Sequence, residues 1–162
     1  PRKNLRSWRN NMKRVTIYTD GACSFNPGPG GWAAVLIHKG NEKNFSGYES
    51  DTTNNRMELT AVLKALEALR EPCHVVLHTD SAYIFNAFDK KWINNWQRNG
   101  WRTTAKKDVE NQDLWKGILI AMDAHKVHYK KVKGHSTNKY NNICDELARK
   151  AITDNANAED EV

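Results

Sequence analysis

Apolar and polar residues alternate from Arg14 to Thr19 (Arg-Val-Thr-Ile-Tyr-Thr), a period of two that predicts a half-buried strand. The run halts at Asp20-Gly21, which reads as a turn pair. Asn26-Pro27-Gly28-Pro29-Gly30-Gly31 then breaks the chain, and Trp32 to His38 and Lys43 to Glu49 predict two further strands around Gly40-Asn41. Links this short imply an antiparallel meander. From Asn55 to Arg70 the period changes, because Leu59, Val62, Leu63, Leu66 and Leu69 recur at helical spacing with Pro72 just beyond. His74 to Thr79 predicts a fourth strand, and Asp80-Ser81 opens a helix over Ala82 to Phe88. A strand–helix–strand path implies parallel pairing. Leu114, Ile118, Ile120, Ala121 and Met122 predict another helix, Val127 to Val132 a fifth strand, and Cys144 to Ile152 a closing helix. The order βββαβα…αβα predicts an α/β fold. Its mixed five-stranded sheet has strands 1–3 antiparallel and parallel crossovers to strands 4 and 5, with helices flanking it.

A length of 162 residues suits one folded body. An apolar share of 39% and a mean hydropathy of −0.80 leave no apolar run near the ~20 residues a bilayer needs, which excludes a helical membrane protein. Fibrous classes are excluded by the same composition. Charge adds more. The chain carries 25 Lys plus Arg against 19 Asp plus Glu, a net +6, and four of those acids (Asp154, Glu159, Asp160, Glu161) sit in the last nine residues. The body before that tail is therefore distinctly basic, which points to a polyanionic partner. Three regions follow: a basic and flexible extension over 1–13, a folded domain over 14–153, and a disordered acidic tail over 154–162. Cys23, Cys73 and Cys144 form no CxxC pair and are odd in number, so neither a disulfide framework nor a zinc ribbon is expected. A reducing, cytoplasmic setting is expected. Residues 1–14 hold six Lys/Arg but no apolar stretch of the kind a secretory signal requires.

Four carboxylates occupy suggestive places. Asp20 and Asp80 each follow a strand, while Glu58 and Asp145 each lie in the first turns of a helix. In open α/β sheets, strand carboxyl ends and helix starts meet at the ligand crevice. Each also has a local explanation: a turn for Asp20-Gly21, a helix cap for Asp80, favourable interaction with the helix dipole for Asp145. Together, Thr19-Asp20-Gly21, Asn54-Asn55-Arg56-Met57-Glu58-Leu59, Thr79-Asp80-Ser81 and Lys133-Gly134-His135 followed by Cys144-Asp145-Glu146-Leu147-Ala148 make coincidence a poor account.

On these residues the sequence resembles the type 1, bacterial-like ribonuclease H family, in register from about Met12 to Ile152. The resemblance implies an endoribonuclease that hydrolyses the RNA strand of RNA·DNA hybrids, leaving 5′-phosphate and 3′-hydroxyl ends. It carries the family's metal-binding carboxylates onto Asp20, Glu58, Asp80 and Asp145, and its mobile histidine onto His135. Crowded carboxylates repel one another, and Mg2+ is the natural neutraliser because it takes oxygen ligands and completes its shell with phosphate. Two Mg2+ ions per site are implied, with Mn2+ as a substitute, and His135 has the near-neutral pKa a proton carrier needs. His38, His74, His78, His125 and His128 are expected to be structural.

A second signature concerns binding. Lys90, Lys91, Arg98, Arg102, Lys106 and Lys107 interleave with Trp92, Trp96 and Trp101. Tryptophans at such spacing pack, but cations mixed among them fit the family's basic protrusion, which grips the DNA strand with the Trp92 equivalent against a deoxyribose. The resemblance also carries a DNA-phosphate pocket onto Thr53, Asn54 and Arg56, and minor-groove contacts onto Cys23, Asn26 and Asn55. Such contacts read 2′-hydroxyls on one strand and their absence on the other. The chain departs from the family pattern at Phe25, Ala82 and Asn142. A monomer acting on hybrid duplex, with no membrane partner, is expected. The alternatives are another nuclease or strand transferase on the same fold, or a noncatalytic hybrid-binding module.

Overall fold

The structure is a computed structural model and describes residues 12–133 and 138–160, with all their side chains but those of 156–160. Its strands are β1 (Lys13–Cys23), β2 (Gly28–His38), β3 (Asn41–Thr52), β4 (Cys73–Thr79) and β5 (Lys126–Lys131). Its helices are α1 (Asn54–Glu67), α2 (Ala82–Asp89), α3 (Trp92–Asn99), α4 (Gln112–Met122) and α5 (Lys139–Asp160). The sheet order is β3-β2-β1-β4-β5, with β1/β2 and β2/β3 antiparallel and β1/β4 and β4/β5 parallel, as the sequence predicts. The meander turns through Lys39 (φ 49°) and Gly40 (φ 80°), both left-handed, which matches a two-residue hairpin between His38 and Asn41.

Alternation along the strands sorts side chains onto two faces. Val15 and Ile17 of β1, Ala34 and Leu36 of β2, and Val75 and Leu77 of β4 join α1, α2 and α4 in the larger core. Tyr18, Ala33 and Val35 point the other way and pack with Cys144 and Ala148 of α5. Trp115 of α4 and Met57 and Leu59 of α1 are fully buried on the first side. Complete burial of side chains this size stabilises by about 1.5–3 kcal/mol each before entropy is counted, so the two helical layers clamp the strands rigidly.

Several boundaries differ from expectation, each for a physical reason. Asp20-Gly21 is not a turn, since β1 continues to Cys23 with Asp20 paired to Ala33 and Gly21 to Trp32. β2 begins at Gly28, inside the Gly/Pro stretch, because pairing of Gly28 with Thr52 of β3 and of Gly30 and Gly31 with Cys23 and Ala22 of β1 overrides local propensity. α1 stops at Glu67, before Arg70, and a further helix, α3, carries the Trp92–Trp96 pair. α5 starts at Lys139 and runs to Asp160, beyond the Cys144–Ile152 span and into the acidic tail.

Candidate active site

Two glycines bring the acidic side chains together. A Cβ on Gly21 would collide with the backbone at Met57 and Glu58, so only glycine lets the start of α1 press against β1 beside Asp20. A Cβ on Gly31 would strike the Ala148 carbonyl, so glycine also lets α5 lie directly on β2, and α5 carries Asp145. Asp80 follows β4, which pairs in parallel with β1. The expected capping role for Asp80 falls instead to Ser81, whose side chain accepts from the Ile84 N–H at 3.2 Å. Asp80 lines the cleft.

Ligand oxygens of Asp20, Glu58 and Asp80 all lie within 4.8 Å of one another. Asp20 is 5% exposed and Glu58 4% exposed. Burial, then the charges of Asp80 and Asp145, push Asp20 up to about 7, although the Gly21 N–H donates to its Oδ1 at 2.9 Å. Burial and the neighbouring Asp20 and Asp80 hold Glu58 well above the usual carboxylate range. Its Oε2 is buried without a hydrogen-bond partner among the described residues. An orphaned carboxylate oxygen facing two more carboxylates fits a hard cation that takes oxygen ligands. Asp145 is half-buried, lines the same cleft and pairs with Arg149 one turn on. The structure thus gathers three of the four predicted carboxylates tightly and sets the fourth at the rim.

The cleft measures about 510 Å³, and Cys23, Asn54 and Asn55 line it with the carboxylates. The Asn26 side chain accepts from the Asn54 N–H at 3.2 Å, which ties the loop after β1 to the start of α1. Thr53 caps α1 by accepting from the Arg56 N–H at 3.2 Å. Arg56 turns to Asp113, donating from Nη1 at 3.0 Å and Nη2 at 2.8 Å, and to Asn111 Oδ1 at 3.2 Å. Of these predicted binding residues, Cys23, Asn54 and Asn55 line the cleft, while Asn26, Thr53 and Arg56 stand beside it through the contacts just given. His135 lies outside the described residues.

The family model for RNase H matches residues 12–153. The chain belongs to the ribonuclease H family. It is 57% identical over 141 residues to the ribonuclease H of Caldicellulosiruptor saccharolyticus, covering 87% of this chain and 97% of that protein. It is 60% identical over 141 residues to the ribonuclease H of Chlorobium luteolum, with the same coverage of each. Among solved structures it is similar to LC9-RNase H1, a type 1 RNase H with the type 2 active-site motif, at 29% identity and TM-score 0.78 over 88% of this chain and 73% of that one. LC11-RNase H1, solved in complex with RNA/DNA hybrid, shares the fold at 23% identity and TM-score 0.69, over 88% of this chain and 99% of that one. As a ribonuclease H, the chain is a phosphodiester hydrolase.

The basic segment around α3 is built on tilted, interlocking indole rings. Trp96 lies 6.4 Å from Trp92, 6.0 Å from Trp101 and 5.6 Å from Trp115, ring centre to ring centre, so the tryptophans root α3 in the core. Lys90, Lys91, Arg98 and Arg102 stand exposed around them. Arg102 pairs with Asp108 at 3.4 Å, while Lys90 sits 6.0 Å from the Trp92 ring. Sequence reasoning missed Tyr83, which lines the cleft, and whose hydroxyl accepts from Trp115 Nε1 at 3.0 Å and Asn111 Nδ2 at 3.4 Å. The signal was present in Tyr83 itself, an aromatic with a polar tip one turn after Asp80. The described residues include no helix long and apolar enough to cross a membrane.

Proposed function

We propose that this ribonuclease H is a metal-dependent endoribonuclease that cuts the RNA strand of RNA·DNA hybrids, with two Mg2+ ions held by Asp20, Glu58, Asp80 and Asp145. The observation that carries the reading is the buried triad, whose oxygens lie within 4.8 Å of one another with Glu58 Oε2 unpartnered among the described residues. When bound, divalent cations supply an activated water and neutralise charge on the departing 3′-oxygen, giving 5′-phosphate and 3′-hydroxyl ends. The protein's own residues do the rest. Asp20 and Glu58, fixed by β1 and α1, present oxygens that need no reorganisation to bind. His135 carries a proton to or from the reacting phosphate. Cys23, Asn26 and Asn55 read the minor groove, and Thr53, Asn54 and Arg56 hold a DNA-strand phosphate. Lys90, Lys91, Trp92, Trp96, Arg98, Trp101 and Arg102 grip the DNA backbone. A single domain over 14–153, acting as a cytoplasmic monomer, completes the reading, with the buried free thiols of Cys73 and Cys144 in its support.

Labelled RNA·DNA, double-stranded RNA and double-stranded DNA incubated with Mg2+ test it. Cleavage confined to the RNA of the hybrid is expected, and lost in Asp20→Asn. Cutting of duplex DNA would favour another nuclease on this fold, and hybrid binding without cutting would favour a binding module.

A further inference from the structure

The face of β1, β4 and β5 that points away from the larger core meets the cleft at Asp20 and extends well beyond it. α5 packs over β1, β2 and β3 on that side, where Tyr18 lies against Tyr140 of α5 and stacks on His78, and the rest of β4 and β5 is left uncovered among the described residues. The parallel register sets side chains there in rows: Arg14 beside His74 beside Lys126, and two residues further on Val76 beside His128, then His78 beside Lys130. The His74 and His128 rings lie 5.3 Å apart, which confirms that they share the face. Arg14, Lys126, His128 and Lys130 are exposed. None of Arg14, Lys126 and Lys130 forms an ion pair with another described residue, and no row contains an acid. His74 is held below the ordinary imidazole range by partial burial and by the neighbouring His128, Lys126 and Arg14. An uncovered face with this charge and no internal counter-ion calls for an anionic occupant.

We propose that this face binds a single strand of nucleic acid extending beyond the hybrid, with Arg14, Lys126 and Lys130 on its phosphates and the His74 and His128 rings against its bases. The inference rests on the hybrid nuclease reading above. Three considerations select a single strand. Adjacent strands lie about 4.8 Å apart, so the lane from β1 to β5 is only ~10 Å wide, room for one backbone and not for a duplex. Rows repeat every ~6.6 Å along the strands, so cations recur along the track of an extended chain. Exposed rings between the cations provide stacking surfaces, the combination by which strands are held without sequence preference. The lane also starts in the right place. His78 lies two residues before Asp80, and the face runs from there about 13 Å to His74, which places its cations on the strand that leads to the cleft. An acidic polypeptide would satisfy the charge but gains nothing from the rings.

The test compares binding of a blunt hybrid with hybrids carrying a ten-nucleotide overhang at each of the four strand ends, in Ca2+ to prevent turnover. At least one overhang should tighten binding by about tenfold over the blunt hybrid. The Arg14→Ala/Lys126→Ala/Lys130→Ala variant should lose that increment while keeping its affinity and cleavage rate for the blunt hybrid. The salt slope for the overhang substrate should fall by up to ~2, from about 0.7 per single-strand phosphate. His128→Ala alone should cost roughly fivefold on the overhang only. An overhang that adds nothing, or an increment that survives the triple substitution, overturns the proposal. Competition by polyglutamate without any overhang effect would overturn it in favour of an acidic protein partner. Blunt-hybrid cleavage separates this failure from failure of the nuclease reading.

Discussion

The carboxylate cleft and the tryptophan-rooted segment around α3, to which the proposed function gives the same polyanion, are constructed in opposite ways. In the cleft, charges of one sign are buried and crowded, with Asp20 at 5% and Glu58 at 4% exposure. Around α3, charges of the other sign stand in water on the helix and its flanks, where the rings, not the cations, are packed. Buried like charges cost the fold stability until a cation arrives, whereas solvated charges cost it almost nothing. The difference teaches where each function is paid for: the chemistry is charged against folding, the grip is not.

The largest effect should come from the cleft. Asp80→Asn should lower the cleavage rate in Mg2+ by at least ~10³-fold, on the order of 4 kcal/mol, because a neutral amide of the same shape is a poor ligand for a hard cation. A rate within tenfold of the parent would remove Asp80 from the site. The companion effect runs the other way. In metal-free protein Asp20 titrates at about 7 instead of near 3.8, so the fold holds a proton that the unfolded chain has already released. Stability from this group is full below the unfolded value and is lost as pH rises through about 7. Asp20→Asn should therefore raise the melting temperature of the metal-free protein at pH 8 and change it little at pH 4. Mg2+ should likewise stabilise the parent more at pH 8 than at pH 5. Calorimetry at the three pH values checks both.

The protrusion should respond differently. Replacing Lys90, Lys91, Arg98 and Arg102 by Ala should leave the melting temperature almost unchanged and weaken hybrid binding by roughly ten- to a hundredfold at low salt. Arg102 already has Asp108 as a partner, so about three phosphates are at stake. The slope of log K against log salt should become shallower by about 2.7. Unchanged slope and affinity would mark these cations as a solvated face and collapse the contrast with the cleft.

The mixed sheet, with strands 1–3 antiparallel and parallel crossovers to strands 4 and 5, and the helix α1 were legible because their apolar periods are long and local. The four carboxylates were legible as a set, through motifs that the family shares. Three things were not. The continuation of β1 through Asp20-Gly21 depends on pairing with Ala33 and Trp32 across the sheet, which no local signal encodes. The helix α3 was hidden because its tryptophans suit either packing or binding, and the Trp96–Trp115 contact is what decides. The roles of Gly21 and Gly31 are invisible without the partner backbone each one touches. Gly31→Ala makes the last point measurable. Its methyl group would meet the Ala148 carbonyl, so α5 must shift, at a cost of about 1–3 kcal/mol in stability. Because α5 carries Asp145, the cleavage rate should fall as well. A stable variant with a parental rate would show that α5 is not pinned at this contact.

The smallest effect concerns Arg56, which ties the start of α1 beside the cleft to the start of α4. This cation belongs to the predicted phosphate pocket, yet Asp113 holds it with two hydrogen bonds at 3.0 and 2.8 Å. Both partners are substantially exposed, at 37% and 66% of their side chains, so the pair contributes less than ~1 kcal/mol to the fold. Asp113 is itself held below the usual carboxylate range by Arg56 and stays ionised at neutral pH, where it competes with a phosphate for the same guanidinium. Two outcomes are therefore opposed. If Asp113 only competes, Asp113→Ala should lower the melting temperature slightly and leave hybrid affinity equal to or up to about threefold tighter than the parent, while Arg56→Ala weakens it by about tenfold, near 1.4 kcal/mol. Asn111, which accepts from Nη1 at 3.2 Å, would keep the guanidinium in place. We expect that result, because a second anchor remains and a negative charge has left a surface that meets a polyanion. Loss of affinity in Asp113→Ala equal to that in Arg56→Ala would instead show that the carboxylate orients the cation, and the pocket would then resemble the cleft, with its charge set by a buried neighbour, more than the protrusion.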